Sequence, residues 1–351
     1  MKIAVLLSGG VDSSVALRLL KEEGHEVTAF YLKIWLEDEL SFLGKCPWEE
    51  DLEYARGVCK QADVPLKIIS LQREYWEKVV TYAIKELKEG RTPNSDMFCN
   101  RLIKFGLFFD KIDLSFEKVA SGHYARVVYE NNRYYLKKSP DPVKDQTYFL
   151  GYMRQEQIAR AVFPLGRYTK KQVRQLAEVY DLPNKYRKDS QGICFLGQIR
   201  YSDFVKHHLG EKPGDFVNID TGEKLGRHKG YWFYTIGQRH GLGLSGGPWY
   251  VVKKDIKNNI IYLSQKDRMN TRLFDKFKVG KFNWILGDPP TKRNLQVKVR
   301  HGKDFYHCEL DIRGDEGWVT LDKPDQGIAP GQFAVFYDGD VCLGGSVILE
   351  S

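Results

Sequence analysis

The segment Ser8-Gly9-Gly10-Val11-Asp12-Ser13-Ser14 constrains the fold of this chain more than any other stretch. It follows Lys2 to Leu7, a near-continuous apolar run that suits a parallel strand buried on both faces. It leads into Val11 to Glu23, where Val11, Val15, Leu19 and Leu20 have helical spacing and Gly24 makes a C′ stop. Strand, glycine turn and helix, in that order, are the parts of an anion site. Gly9 and Gly10 carry no Cβ, so the backbone can approach a phosphate closely. The free N–H groups and positive dipole end of the helix point at the anion. Ser8, Ser13 and Ser14 add hydroxyl donors. The loop lacks Gly-Lys-Ser/Thr and is therefore not a Walker A loop. The bland alternative is a glycine turn with Asp or Ser capping a helix.

The following 200 residues alternate strand and helix patterns. Strands are expected at 27–32, 66–71 and up to Gly122, with helices at 49–62 and 75–89. Such alternation predicts an α/β domain, a parallel sheet with helices on both faces. After about residue 200 the pattern changes to short segments between Gly-rich turns, with strands expected at 216–219, 231–236 and 249–253. Beyond residue 270, Leu295, Val297 and Val299 alternate with polar residues, and an Asp-Gly-Asp turn separates 335–337 from 341–343. The expected domains are a catalytic α/β domain at 1–203, a small mixed domain at 204–270 and a β-barrel at 271–351.

No apolar run approaches the roughly 20 residues that a membrane helix needs, and the N-terminus enters a strand without a leader, so a cytoplasmic protein is expected. The formal charge of +8 sits in one window: residues 121–200 hold 15 Lys/Arg against 7 Asp/Glu, and the remainder balances. A basic window is a solvated face about as often as a nucleic-acid footprint. Six cysteines without a Cys-x-x-Cys pair make neither a disulfide scaffold nor a conventional zinc site.

Two cysteines stand apart. Cys99 lies in Thr-Pro-Asn-Ser-Asp-Met-Phe-Cys-Asn (92–100), and Cys194 in Asp-Ser-Gln-Gly-Ile-Cys-Phe (189–195). Both contexts are rich in turn formers, which predicts accessible loops where a thiol can ionise and attack. Lys185, Arg187 and Lys188 precede Cys194, and positive charge favours thiolate. Cys46, Cys59, Cys308 and Cys342 read as small core residues.

The glycine loop resembles the pyrophosphate loop of the N-type ATP pyrophosphatases, which transfer AMP to a carbonyl oxygen. Ser-Gly-His-Tyr-Ala-Arg (121–126), Lys-Asp-Gln-Thr-Tyr-Phe-Leu (144–150), Gly-Gln-Arg-His-Gly-Leu-Gly (237–243) and Pro-Gly-Gln-Phe-Ala-Val-Phe-Tyr (330–337) join the two cysteine contexts in order. This set closely resembles the tRNA-specific 2-thiouridylase family, over essentially the whole chain. The resemblance implies an enzyme that replaces the C2 oxygen of a wobble uridine by sulfur. ATP would lie on Leu6, Leu7, Ser8, Gly9, Gly10, Val11, Asp12 and Ser13, with Leu32 and Gly122 near adenine and ribose. Cys99 would be the nucleophile, Cys194 the persulfide carrier, and Asp96 a residue that orients a group or handles a proton. Asn94, Ser95 and Asp96 would surround the target base. His123, Lys144, Asp145, Gln146, Arg300, His301 and Gln332 would contact tRNA.

The same resemblance implies Lys, Glu and Gln tRNAs as partners, together with an upstream persulfide carrier or cysteine desulfurase. Magnesium is expected with ATP. The cysteine spacing neither demands nor forbids an iron–sulfur cluster on Cys99, Cys194 and a third ligand. The chain departs from the family at Ser95, where proline is usual, at His301, where an aromatic residue is usual, and around Ser41 to Trp48. Two other readings are an amide-forming ligase, which would not need Cys99 or Cys194, and an RNA-binding module with a vestigial ATP loop.

Overall fold

The computed structural model describes residues 1–34, 48–189, 200–265 and 274–351; Cys46 and Cys194 lie outside them. The first part of the chain carries β1 (Lys2–Leu6), α1 (Val11–Glu22), β2 (Glu26–Lys33), α2 (Trp48–Ala62), β3 (Leu66–Ser70), β4 (Lys118–Ala120), β5 (Ala125–Glu130), β6 (Arg133–Lys138) and β7 (Ala161–Val162). Five of these strands form a parallel sheet in the order β3-β2-β1-β4-β7. Successive residues of β1 enter different cores. Ala4 and Leu6 face one that includes Phe30, Phe105 and Phe108, whereas Ile3 and Val5 face one that includes Val15, Leu19 and Leu52. That two-sided burial explains why the strand is apolar throughout rather than alternating.

The chain lays down β2 and β3 on one side of β1 and then crosses to place β4 on the other side. Such a reversal opens a crevice at the carboxyl ends of the strands, where ligands bind in α/β sheets. The glycine loop leaves β1 there, and Ser121-Gly122-His123 leaves β4 there.

The central part is a four-stranded sheet, β10-β11-β8-β9, from β8 (Gly214–Asn218), β9 (Lys224–His228), β10 (Trp249–Asp255) and β11 (Ile260–Gln265). The strand expected at 231–236 is instead a short 3₁₀ turn at Tyr231–Phe233. Tyr231 donates to Lys88 O (2.7 Å) and Trp232 Nε1 to Gly210 O (3.2 Å), so the aromatic rings tie the segment to two neighbours rather than to a sheet.

The C-terminal part closes into a barrel of six antiparallel strands: β12 (Phe274–Trp284), β13 (Asn294–Lys298), β14 (Tyr306–Arg313), β15 (Glu316–Asp325), β16 (Phe333–Asp338) and β17 (Val341–Glu350). Pairing of β12 with β17 seals it. The hairpin β5–β6 from the first domain then adds to β17 through Val341 opposite Lys137 and Cys342 opposite Leu136. One eight-stranded sheet therefore runs across the boundary between the first and last domains.

Candidate active site

Gly9 has φ +74°, and a Cβ there would lie 2.2 Å from Asp51 O, so the loop turns where only glycine fits. Gly10 is the N-cap of α1, and its carbonyl accepts from Ser13 Oγ and Ser14 Oγ, both at 3.0 Å. Ser8 N donates to Ser13 Oγ (3.2 Å), which folds the loop over the helix start. Gly122 presses on the same place: a Cβ there would lie 2.7 Å from Ser13 N. The predicted nucleotide residues on β1, the loop and the 121–123 turn are thus brought together, with Leu32 near the same end of β2.

Residues 184–189 bind the outer side of this loop. Asn184 Nδ2 donates to Gly9 O (2.8 Å) and Ser14 Oγ (2.9 Å), and Arg187 Nη1 to Gly9 O (3.1 Å). Arg187 also pairs with Asp51. Lys170 Nζ bridges Asp12 Oδ1 (2.7 Å) and Asp189 Oδ1 (2.8 Å), and Asp189 is further held by Lys144 (2.7 Å) and Arg174. Burial pushes the Asp189 carboxyl up, but its bonds to Lys144 and Lys170 pull it well below the usual carboxylate range. The sequence gives no signal for Asn184 or Lys170, and it offers Arg187 and Asp189 only as neighbours of Cys194, not as partners of the glycine loop. They lie in the basic stretch that reads from sequence as a general footprint, and only folding pairs Asn184, Arg187 and Lys170 with the loop and the start of α1, with Asp189 joined through Lys170.

Cys99 is not on an accessible loop. It is 1% exposed and sits in a helical run from Ser95 to Lys111, wound as a π-helix over Cys99–Leu107. The turn formers that suggested a loop serve as the helix start: Asn94 is the N-cap, and its side chain accepts from Met97 N at 3.3 Å. Ser95 is the first helical residue, the position where proline's fixed φ also fits. Met97, Ile103 and Phe105 bury this helix in the same core as Cys99. Each such side chain stabilises the fold by about 1.5–3 kcal/mol.

The 121–123 turn joins the two halves of the site. His123 shares a 2.7 Å hydrogen bond with Ser121 Oγ, and its ring packs near Phe105 (6.2 Å) and Phe163 (5.8 Å). Desolvation, and then the charge of Lys104, hold its imidazole well below its ordinary pKa, so it is neutral. The 144–150 motif is a second junction. Gln146 accepts from Tyr124 N (3.0 Å), and Asp145, 3% exposed, accepts from Ser139 N (3.0 Å) and Thr147 Oγ1 (2.7 Å). Lys298 of the barrel, fully buried, approaches Asp145 at 3.7 Å and donates to Gly302 O (2.7 Å). Asn100 donates to Phe149 O (3.2 Å), and the Phe149 ring meets exposed His301 at 4.7 Å. Lys144, Asp145 and Gln146, expected to face tRNA, each bond a protein partner, and of the three only Asp145 is buried. Arg300 forms a two-bonded pair with Asp325 at 2.8 and 2.5 Å. Gln332 donates to Thr92 O and Pro93 O.

Cys59, Cys308 and Cys342 are buried, as core cysteines should be, and burial raises their thiols to about 11, about 12 and about 12. The described residues contain no group of three His, Cys, Asp or Glu side chains able to hold a metal. No described helix is long and apolar enough to cross a membrane.

Comparison with known proteins accords with this arrangement. Family models described as a tRNA methyl transferase HUP domain, a tRNA methyl transferase PRC-barrel domain and an aminomethyltransferase beta-barrel domain match residues 1–198, 202–265 and 274–348. A tRNA-specific 2-thiouridylase MnmA of Parabacteroides distasonis is 46% identical, over 100% of this chain and 99% of its own. The chain belongs to the tRNA-specific 2-thiouridylase family. Similar members are MnmA 1 of Bacteroides thetaiotaomicron, 44% identical over 99% of both chains, and MnmA of Porphyromonas gingivalis, 44% identical over 100% of this chain and 99% of its own. In this 2-thiouridylase family member, the glycine loop and the helix that carries Cys99 lie on either side of the 121–123 turn, through Gly122 against Ser13 and His123 against Phe105.

Proposed function

We propose that this chain is an ATP-dependent tRNA 2-thiouridylase acting on the wobble uridine. The observation that carries the reading is the turn Ser121-Gly122-His123. Gly122 touches the start of α1, and His123 packs against Phe105 of the Cys99 helix. The uridine C2 oxygen is a poor leaving group. Its attack on the α-phosphorus of ATP forms a C2–O–P bond and expels pyrophosphate. The loop N–H groups and the start of α1 would hold the phosphates through that step. The Asp12 carboxylate at the start of α1 is bonded by Lys170 and Tyr124; magnesium arriving with ATP would be held chiefly by phosphate oxygens and water.

The terminal sulfur of a cysteine persulfide then attacks C2 and AMP leaves. Attack by the second cysteine on the inner sulfur breaks the S–S bond and leaves 2-thiouridine, while the two cysteines become a disulfide. A thiol reductant supplies the two electrons that reset it. Cys194 is the proposed persulfide carrier, Cys99 the partner, and Asp96 the group that orients or moves a proton. Exposed basic residues in 121–200 would grip the backbone of a tRNA whose target base has left its stack. Arg300 and His301 would contact the same tRNA from the barrel. The proposed tRNAs are those for Lys, Glu and Gln, the sulfur donor a persulfide carrier or cysteine desulfurase, and the setting cytoplasmic.

Nucleoside mass analysis of tRNA after incubation with ATP and a sulfur donor tests this reading. The expected product carries the mass change of sulfur replacing oxygen, not that of an added methyl group. Unmodified uridine in the presence of folded protein and a competent donor refutes it.

A further inference from the structure

We infer that Gln332, on the C-terminal barrel, is a positioning residue that sets the helix carrying Cys99. Its Nε2 donates to both Thr92 O (3.1 Å) and Pro93 O (3.0 Å), the two carbonyls just before Asn94. Its Oε1 faces Asn94 Nδ2 at 3.5 Å. Asn94 is 8% exposed and caps Ser95–Phe98 through Met97 N (3.3 Å), and Cys99 follows directly. One side chain of the barrel thus fixes the residue that starts the nucleophile helix.

The backbone reinforces this clasp. Thr92 N donates to Pro330 O at 2.8 Å, and Gly331 N to Ile348 O at 2.8 Å, so the 330–332 turn is tied to β17 behind it and to Thr92 in front. Gly331 has φ +90°, and a Cβ there would lie 2.9 Å from Thr92 O and from Arg91 Cβ. Arg91 is itself held by Glu86 at 2.6 and 2.7 Å. Gln332 donates to two part-buried carbonyls at once, so its loss removes two bonds from the segment that leads into Asn94. The clasp acts before any tRNA is present, which separates it from a direct contact to substrate.

The test uses the full chain with Gln332→Ala and the near-isosteric Gln332→Glu, which keeps the volume and replaces the Nε2 donor. The first readout is the rate of Cys99 alkylation by iodoacetamide without tRNA, followed by peptide mapping. Loss of a cap-supporting bond pair should speed alkylation about tenfold in both variants. The second readout rests on the proposed activity: kcat for 2-thiouridine formation should fall about tenfold while the tRNA Kd stays within about twofold. Unchanged Cys99 alkylation, or a rise in tRNA Kd with kcat intact, overturns the positioning role and leaves a substrate contact. If wild-type protein makes no 2-thiouridine, the functional reading fails, while the alkylation arm still decides the role of Gln332.

Discussion

The two loop glycines should fail in different ways when each is replaced by alanine. At Gly9 the backbone has φ +74°, and the new Cβ would stand 2.2 Å from Asp51 O. An L-residue in that region costs about 1–2 kcal/mol. Relieving the overlap means moving the loop or α2 by roughly 1 Å, at about 1–3 kcal/mol for overpacking. Asp51 cannot yield freely, because Arg187 holds its carboxylate and also bonds Gly9 O. The sum is about 2–5 kcal/mol, or a fall of about 4–20 °C in the melting temperature of the first domain. At Gly10 the φ is −80°, and a Cβ would meet only Ser8 Oγ at 3.4 Å. Gly10→Ala should therefore leave the melting temperature within about 2 °C. It should still weaken ATP binding by about tenfold or more, because on the proposed site the methyl group would stand in the path of the phosphate. Calorimetric melting without ligand and ATP titration of both variants give the four numbers. A Gly9→Ala protein that melts with wild type, or a Gly10→Ala protein that binds ATP normally, refutes the division of roles.

The Asp189 carboxyl is depressed in the folded protein, so its contribution is complete above the ordinary carboxylate pKa and fades as pH falls through the folded value. Wild type should lose stability below about pH 4 more steeply than Asp189→Asn, as urea midpoints at several pH values would show. Cys194→Ser should abolish the persulfide mass increment after exposure to a sulfur donor, and an increment that remains on the protein removes Cys194 from that role. Binding of tRNA should weaken steeply with salt. Neutralising exposed Arg167, Lys171 or Lys188 should each lower the log–log salt slope by about one, whereas equal changes on the barrel away from Arg300 and His301 should not.

Features that depend on neighbouring residues in the chain were readable before the fold was known. The apolar run of β1, the glycine loop and the helix after it fall where their local chemistry puts them. The β16–β17 hairpin likewise follows from its Asp-Gly-Asp turn. Features made by distant partners were not readable. Cys99 looks exposed in sequence because Pro93, Asn94 and Ser95 are turn formers, yet they cap a buried helix. Asp145 looks like a surface acid until Lys298, 153 residues later, is brought against it. The β5–β6 hairpin carries a local signal in its turn. Asn131 and Asn132 both have positive φ, 48° and 65°, as a two-residue hairpin turn requires, but the half-exposed flanks hide the alternation.

That hairpin also bears on how the protein is made. Its open edge on β6 pairs with Val341 and Cys342, near the end of the chain. A ribosome adding about 5–20 residues per second needs about 10–40 s to reach them after finishing β6. For that interval the first domain holds an unpaired strand edge, a surface prone to wrong pairing. That edge is covered only when β17 emerges, so a chain interrupted inside the barrel leaves the β6 edge of the first domain open.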